Sequence, residues 1–442
     1  MLLLIISAVQ AVLQVMVIVF FGFCLTKKGY FNMEKQKWLS KVNMVFFTPC
    51  LLFTNIAATI SWEKLLAFWP IPCFYIAFAG LCFILSQVTT KMVGLSAPYR
   101  RFVLACVMFG NTNSLPIAII SSLAVSEAGK VLFWNAEDSQ EAVAARGISY
   151  TLFFAIFGNL VRWSYGYSLL SKHEDDDEEE DDSTTIGQIT PPTYGALNVS
   201  NNNDIEQARP SGMPDRRYSS MTLAAQPDDN SSATTPINET TTLLLPKLDA
   251  VEQQPGLLRR IARKINSFMS PPLYAACLAL LVGLSPLKHL LYDKQWLLYP
   301  CLTKGIETCG KAAVPIILTC LGAQLTCIWQ SQQPTSPTIK KPVNTVMLVR
   351  FVLMPFFVVP IVVAFVRFGS QWSTLATDPV FAIMMIVLGC SPTAINLVQI
   401  TQVNGIFEEE MLRMLFYSYG VVCVPLCTLL VFIGLNTVDK LL

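Results

Sequence analysis

Charged residues and histidines are scarce in this sequence. Only 14% of its 442 residues are charged, whereas 53% are hydrophobic, and the mean hydropathy is positive. Soluble proteins carry about 25% charged residues, so this balance indicates a membrane protein. The two histidines, His173 and His289, and thirteen cysteines without paired ligand spacing supply neither a metal site nor a histidine base. We therefore expect no cofactor, no metal and no enzymatic activity.

Ten apolar windows are each long enough to cross a hydrocarbon core of about 30 Å. Five of them precede a polar middle and five follow it. The windows are Leu3 to Leu25, Trp38 to Ala58, Leu65 to Val88, Phe102 to Leu123, Ile148 to Leu170, Pro272 to Leu291, Leu302 to Ile328, Val346 to Val366, Phe381 to Val403 and Met411 to Leu435. They predict an all-α, multi-pass membrane protein with ten transmembrane helices.

The polar middle divides the chain into a membrane part at residues 1–170, a loop at 171–266 and a second membrane part at 267–442. The loop opens with nine consecutive acids, Glu174 to Asp182, and has few aromatics, which is typical of disorder. Lysines and arginines of short loops concentrate on its side of the bilayer, so we place it in the cytosol and both termini in the lumen. Glu239, Leu243 and Leu244 match an acidic dileucine sorting signal for an adaptor, although so short a pattern also occurs by chance.

The fourth and ninth windows are both interrupted by polar residues. The stretch GNTNSLPIAI begins at Gly110, and GCSPTAIN begins at Gly389; each glycine follows a phenylalanine, Phe102 or Phe381, by the same distance. A single proline such as Pro49 usually only kinks a membrane helix, but here amides, hydroxyls and proline cluster. Unwound backbone persists in hydrocarbon only where protein or a water-filled cavity pairs its polar groups. We therefore predict a binding site at these two breaks.

The matching breaks also indicate a repeat. Because each half has an odd number of predicted helices, a second half that repeats the first must be inserted upside down. We thus expect two inverted five-helix repeats in which broken helices 4 and 9 cross. The N-termini of the half-helices would present positive dipole ends to an anion.

At these residues the chain resembles a known family. The five-plus-five layout, the cytosolic loop and the signature of Gly110-Asn111 followed by Leu115-Pro116 are similar to the auxin efflux carrier family, in particular its PIN-likes branch and fungal relatives. The resemblance implies a transporter in which a scaffold unit and a transport unit move against each other to carry indole-acetate-type anions. The same architecture occurs in sodium–proton antiporters and bile-acid symporters.

The resemblance also implies a set of substrate-binding residues. In the family, an asparagine beside the crossover proline Pro116 helps to hold the substrate carboxylate, and Asn111 is the nearest match, with Thr112 and Asn113 beside it. The ninth-window region contributes Ser391, Pro392, Thr393, Asn396 and Gln399. Its proline comes early in the break, so the two breaks correspond only approximately. Secondary candidates, for which interhelical hydrogen bonding or kinking is the alternative, are Asn43, Thr48, Pro49 and Asn55. Gln324 and Gln399 are candidate ligands of a coupling ion such as sodium.

A buried-carboxylate antiporter is disfavoured because the breaks contain no acid; the acids closest to the windows lie near predicted ends, at Asp293, Glu307, Asp378 and Glu408 to Glu410. We expect a carrier that exports a small organic anion from the cytosol across the endoplasmic reticulum membrane, with the vacuole or endosome as alternatives. Two other functions stay open: a ligand sensor that signals through the loop, and a sodium-coupled organic-anion symporter. The expected partners are the lipid bilayer and the substrate, not nucleic acid, and a homodimer is left open.

Overall fold

The computed structural model of the protein describes residues 2–135, 137–172, 269–331 and 337–441. Within these ranges every regular element is helical, and the one β feature is an isolated antiparallel bridge. All the described residues belong to a single compact unit. The acidic run that begins at Glu174 and the sorting motif of Glu239, Leu243 and Leu244 lie outside the described residues.

Twelve helical elements carry the fold. They are α1 (Leu2–Lys27), α2 (Met33–Thr59), α3 (Pro70–Val93), α4 (Ala97–Met108), α5 (Ser114–Val125), α6 (Gln140–Leu169), α7 (Pro271–Leu284), α8 (Tyr299–Thr326), α9 (Ile339–Gln371), α10 (Pro379–Cys390), α11 (Leu397–Asn404) and α12 (Glu408–Leu441). Six of them, α2, α3, α6, α8, α9 and α12, are long and apolar enough to cross a membrane. The chain is therefore a multi-pass membrane protein.

The predicted interruptions of the fourth and ninth windows are confirmed. The fourth window is divided into α4 and α5, and the ninth into α10 and α11. The sixth window also differs from one continuous helix, because α7 ends at Leu284 and a short separate helix covers Leu287–Tyr292. Pro286 lies between them, and a proline cannot donate the backbone hydrogen bond that would continue α7.

Several long helices contain a wide π turn just before a proline. In α2 the π turn covers Asn43–Phe47 and Pro49 follows it. Equivalent turns lie at Val349–Leu353 in α9, before Pro355, and at Ser418–Val422 in α12. The proline ring would clash with the carbonyl group four residues earlier, and widening the helix relieves that clash. Pro49 therefore shapes α2 rather than ending it.

The first and second membrane parts pack tightly against each other. Helix α1 lies along α8, and α2 lies along both α7 and α8. A Cβ atom placed on Gly322 would stand 1.9 Å from the carbonyl O of Val19, so the backbones of α1 and α8 meet with no room for a side chain. Helix α10 packs against α6, α9 and α12, and all of its residues are buried. The break of the fourth window follows α4, and the break of the ninth window follows α10.

Candidate functional site

The two breaks lie side by side and pair through their backbones. Three contacts join them: the antiparallel bridge of Gly110 with Thr393, a 2.6 Å bond from Asn111 N to Pro392 O, and a 2.8 Å bond from Ala394 N to Phe109 O. These bonds satisfy backbone groups that the ends of α4 and α10 leave without helical partners. We call this paired region, residues 109–113 and 391–396, the crossover.

Two buried arginines hold the crossover. Arg350, in the π turn of α9, donates from Nε to Ser391 O at 2.6 Å. Arg162, in α6, donates from Nη2 to Gly110 O at 3.1 Å. Both side chains are buried, and among the described residues neither has a carboxylate at ion-pair distance. Charged groups at membrane depth usually mark function, so these two arginines belong to the candidate site.

Both the nitrogen and the oxygen of the Asn111 side-chain amide make hydrogen bonds. Its Nδ2 donates to the hydroxyl of Tyr419 at 2.9 Å and to Ser114 Oγ at 3.1 Å, while its Oδ1 accepts from the backbone N of Asn113 at 3.2 Å. The hydroxyl of Tyr419 donates in turn to Thr393 O at 2.8 Å. Asn111 and Tyr419 together fix the two breaks relative to α12.

A cavity of about 280 Å³ opens beside Asn111. Its walls come from α1, α5, α8, the crossover and α12, and its lining includes Gln14, Val15, Ile18, Asn111, Ser114, Leu115, Ala118, Lys311, Val314, Pro315, Leu318, Ile395 and Tyr419. Most of these side chains are apolar, and the polar ones are Gln14, Asn111, Ser114, Lys311 and Tyr419. This is the composition of a small-molecule site, an apolar pocket with a few placed polar groups.

The polar end of this cavity favours an anion. Helix α5 begins at Ser114, its N-cap residue Asn113 makes no side-chain capping bond, and its first residues Ser114 and Leu115 line the cavity, so the positive end of the helix dipole lies at the cavity wall. Lys311 of α8 lines the same cavity. Its Nζ lies 2.8 Å from Glu307, which also binds Lys304 at 2.9 Å, so one carboxylate is shared by two lysines.

The predicted fourth-window residues therefore face two directions. Asn111 borders the large cavity, whereas Thr112 borders a smaller one lined by the two arginines. Pro116 is the third residue of α5, where its missing N–H removes no helical bond. Ser114 joins Asn111 at the cavity, and sequence reasoning had not singled it out.

The ninth-window residues mainly hold the crossover together. Ser391 and Thr393 are buried and donate to the carbonyl groups of Leu388 and Cys106 at 3.0 and 2.9 Å. The carbonyl of Pro392 accepts from Asn111, as described above. Asn396 stands just before α11 and makes no side-chain capping bond. From this side of the crossover, Ile395 reaches the large cavity.

Gln399 and Gln324 belong to a separate buried polar network. Gln399 accepts from Thr48 Oγ1 at 3.2 Å and donates to Ser40 O at 3.3 Å. Gln324 accepts from Gln402 at 3.0 Å and donates to Glu408 at 2.8 Å. Of the remaining secondary candidates, Asn43 donates to Ala313 O at 3.1 Å, which is an interhelical bond, and Asn55 lines neither cavity.

The acid Asp378 is fully buried, although the sequence places it near the end of a window. It caps α10 by accepting from Val380 N at 2.9 Å, it accepts from the Tyr150 hydroxyl at 2.6 Å, and Arg146 Nε lies 3.3 Å away. Arg146 also binds Asp138 and lowers the pKa of that carboxyl. Asp378 is thus a paired helix cap and lines neither cavity. No group of three potential metal ligands occurs among the residues that the structure describes.

Five residues of the site are not predicted from the sequence: Ser114, Arg162, Lys311, Arg350 and Tyr419. The three basic ones lie inside apolar windows. Arg350 interrupts the run LVRFVLMPFF, and an arginine in such a run is itself a signal for an intramembrane site. Tyr419 gave no comparable signal, because an aromatic residue is ordinary in a membrane helix.

The sequence matches known transport proteins along nearly its whole length. A profile described as membrane transport protein matches residues 7–431. An uncharacterized transporter of Schizosaccharomyces pombe is 31% identical over 97% of this chain and 95% of its own length. An uncharacterized transporter of Saccharomyces cerevisiae is 28% identical over 96% and 93%. The Arabidopsis thaliana protein PIN-LIKES 1 is 23% identical over 94% of this chain and 76% of its own length.

Proposed function

Because this chain belongs to the membrane transport protein family, the auxin efflux carrier family, we propose that it is a carrier for a small amphipathic organic anion. The substrate class is that of auxin-like indole carboxylates, and the protein is not an enzyme. The observation that carries this proposal is the cavity beside the crossover, where the start of α5 and Lys311 face one space.

The carboxylate binds at the polar end of the cavity. The first-turn N–H groups of α5 and the ammonium of Lys311 supply donors and positive charge there. Asn111 orients this end, because its amide is held between Ser114 and Tyr419. Ser391, Pro392 and Thr393 act mainly by holding the crossover in place.

The ring of the substrate lies against the apolar walls. Val15 and Ile18 of α1, Val314 and Leu318 of α8, and Ile395 provide those walls. A volume of about 280 Å³ suits a molecule of two fused rings with a short side chain and is close to the lower end of small-molecule pockets, about 300 Å³. Small amphipathic anions therefore fit better than bulky bile acids.

Alternating access follows from two inverted five-helix repeats. In such a repeat α1 corresponds to α7 and α2 corresponds to α8. Exchanging these partners turns the contact of α1 with α8 into the contact of α7 with α2, and both contacts are present. The crossover would stay paired while the unit that contains it moves against the α1, α2, α7 and α8 unit. The cavity, which lies between these units, then opens to one side of the membrane at a time.

Membrane voltage drives the export. Moving one elementary charge across a membrane potential of 100 mV releases ~2.3 kcal/mol. A monovalent anion can therefore leave a negative cytosol without a coupled ion. Gln324 and Gln399, the candidate sodium ligands, already use their amide oxygens to accept hydrogen bonds from Gln402 and Thr48. This favours sodium-independent transport over a sodium symporter. We assign the carrier to the endoplasmic reticulum membrane, with its termini in the lumen.

Uptake of radiolabelled indole-3-acetate into proteoliposomes under a valinomycin-imposed potassium potential tests the proposal. We expect uptake that requires the potential, that is equal in sodium and in N-methylglucamine buffers, and that Asn111→Ala abolishes. The matched control is Asn344→Ala, which changes an exposed asparagine away from the crossover and should retain uptake.

Two outcomes would replace the proposal with its alternatives. Saturable binding of indole-3-acetate without flux, in protein that melts normally, would identify a ligand sensor. Flux that disappears when sodium is removed would identify a sodium-coupled symporter.

A further inference from the structure

A second cavity lies on the other face of the crossover. It is small, about 20 Å³, which is room for one water-sized particle. Thirteen of its fifteen lining residues are buried, including Arg162, Arg350 and Thr112. It shares no lining residue with the large cavity beside Asn111. It is therefore a separate site.

Three side chains bring unpaired hydrogen-bonding atoms to this cavity. They are the hydroxyl of Tyr75, Oγ1 of Thr112 and Nε of Arg162, each buried and without a hydrogen-bond partner among the described residues. Their residues are only 8%, 6% and 3% exposed. Buried polar atoms are almost always paired, so three of them around one space indicate an occupant. Each can donate a hydrogen bond, and Arg162 can only donate.

The charges around the cavity favour an anion as that occupant. Arg162 donates to Asn159 Oδ1 and Gly110 O, and Arg350 donates to Ser391 O, Ser391 Oγ and Val107 O, all of them neutral. Among the described residues no carboxylate balances either guanidinium. Two unbalanced charges in a buried place are strongly unfavourable. A water molecule would complete the hydrogen bonds but would leave this charge uncompensated.

We propose that this cavity binds a single halide ion, chloride in the cell, held by Tyr75, Thr112 and Arg162 and attracted by the charge of Arg350, so that it offsets one of the two guanidinium charges. A monoatomic ion fits the volume, whereas the carboxylate group of an organic substrate does not. Because both arginines bind backbone carbonyls of the crossover, the ion stabilises the paired breaks. This proposal concerns a separate site and does not depend on the identity of the transported substrate.

The test is the melting temperature of the purified protein as chloride replaces gluconate at constant sodium concentration and ionic strength. A ligand that binds only the folded state raises the melting temperature with its concentration. Because this stabilisation grows as RT ln(1 + [L]/Kd), we expect the melting temperature to rise steeply at low chloride and only with the logarithm of the concentration at high chloride, and bromide to reproduce the rise. Tyr75→Phe and Thr112→Val remove one donor each and leave both arginines, so each should raise the Kd fitted to that curve about tenfold.

Thr151→Val is the matched control, because the Thr151 hydroxyl is buried but donates within its own helix to Gly147 O. It should keep the chloride response of the wild type. A wild-type melting temperature that chloride does not change would overturn the proposal and leave water as the occupant. A melting temperature that rises linearly over the whole chloride range, or a response that is equal in all four proteins, would also overturn it, since chloride would then act as a general salt.

Discussion

Asn111 and Tyr419 are 308 positions apart in the chain, yet a hydrogen bond of 2.9 Å joins the side-chain amide of one to the hydroxyl of the other. The same hydroxyl donates to Thr393 O at 2.8 Å. One tyrosine of α12 therefore contacts both breaks. This arrangement couples the fourth-window break, the ninth-window break and the wall of the large cavity.

Tyr419→Phe should reduce voltage-driven uptake and lower stability. It keeps the ring but removes one of the two bonds that Asn111 Nδ2 donates and the bond that the Thr393 carbonyl accepts, which costs about 1–3 kcal/mol. Tyr417→Phe, an exposed tyrosine in the same helix, is the control and should behave as wild type. Melting curves and uptake rates measure the two effects. If the two variants were equally stable and equally active, the bond would have no part in holding the crossover.

Gly110→Ala should prevent normal assembly of the crossover. An added Cβ would stand 1.9 Å from Nη2 of Arg350 and 2.5 Å from Oγ of Ser391, so the buried guanidinium must shift. Overpacking of this kind costs about 1–3 kcal/mol. Gly305→Ala is the opposite control: nothing lies within 4 Å of its added Cβ, and alanine favours a helix over glycine by about 0.5–1 kcal/mol. Thermal melting should show changes of opposite sign, and equal changes would contradict the packing described.

Gln402→Leu should destabilise the buried polar network without changing substrate affinity. Gln402 accepts from Ser40 and donates to Gln324 at 3.0 Å, so leucine leaves two buried groups unpaired. We expect a loss of about 1–3 kcal/mol, seen as a lower melting temperature, and an unchanged KM for uptake. The exposed Gln371→Leu should change neither quantity. A raised KM in Gln402→Leu would mean that this network contributes to the substrate site.

The location of the breaks could be predicted from sequence, whereas their contacts could not. The residues from Gly110 to Pro116 and from Ser391 to Asn396 combine a helix-breaking proline with polar side chains that a bilayer tolerates only at a site. Which atoms they bind depends on which helices are neighbours, and hydrophobic periodicity does not determine neighbours. The sequence therefore predicts one binding site for Asn111 and its neighbour Thr112, although they border different cavities.

The basic residues illustrate the same limit. Lys311 stands four residues before Pro315 in the seventh window, and its charge alone does not tell whether it reaches water, lipid or a ligand. In the fold α1 packs on both α8 and α5, and Lys311 lines the same cavity as the first residues of α5.

The central claim is that an organic carboxylate binds between the start of α5 and Lys311. The most direct test is the KM for indole-3-acetate uptake in Lys311→Gln and in Lys304→Gln. Both lysines bind Glu307, so either variant leaves that carboxylate with one partner, but only Lys311 lines the cavity. Because Lys311 is 71% exposed, we expect a modest effect: a KM about fivefold higher for Lys311→Gln, as ~1 kcal/mol corresponds to, and an unchanged KM for Lys304→Gln. Equal KM values for the two variants would contradict the claim.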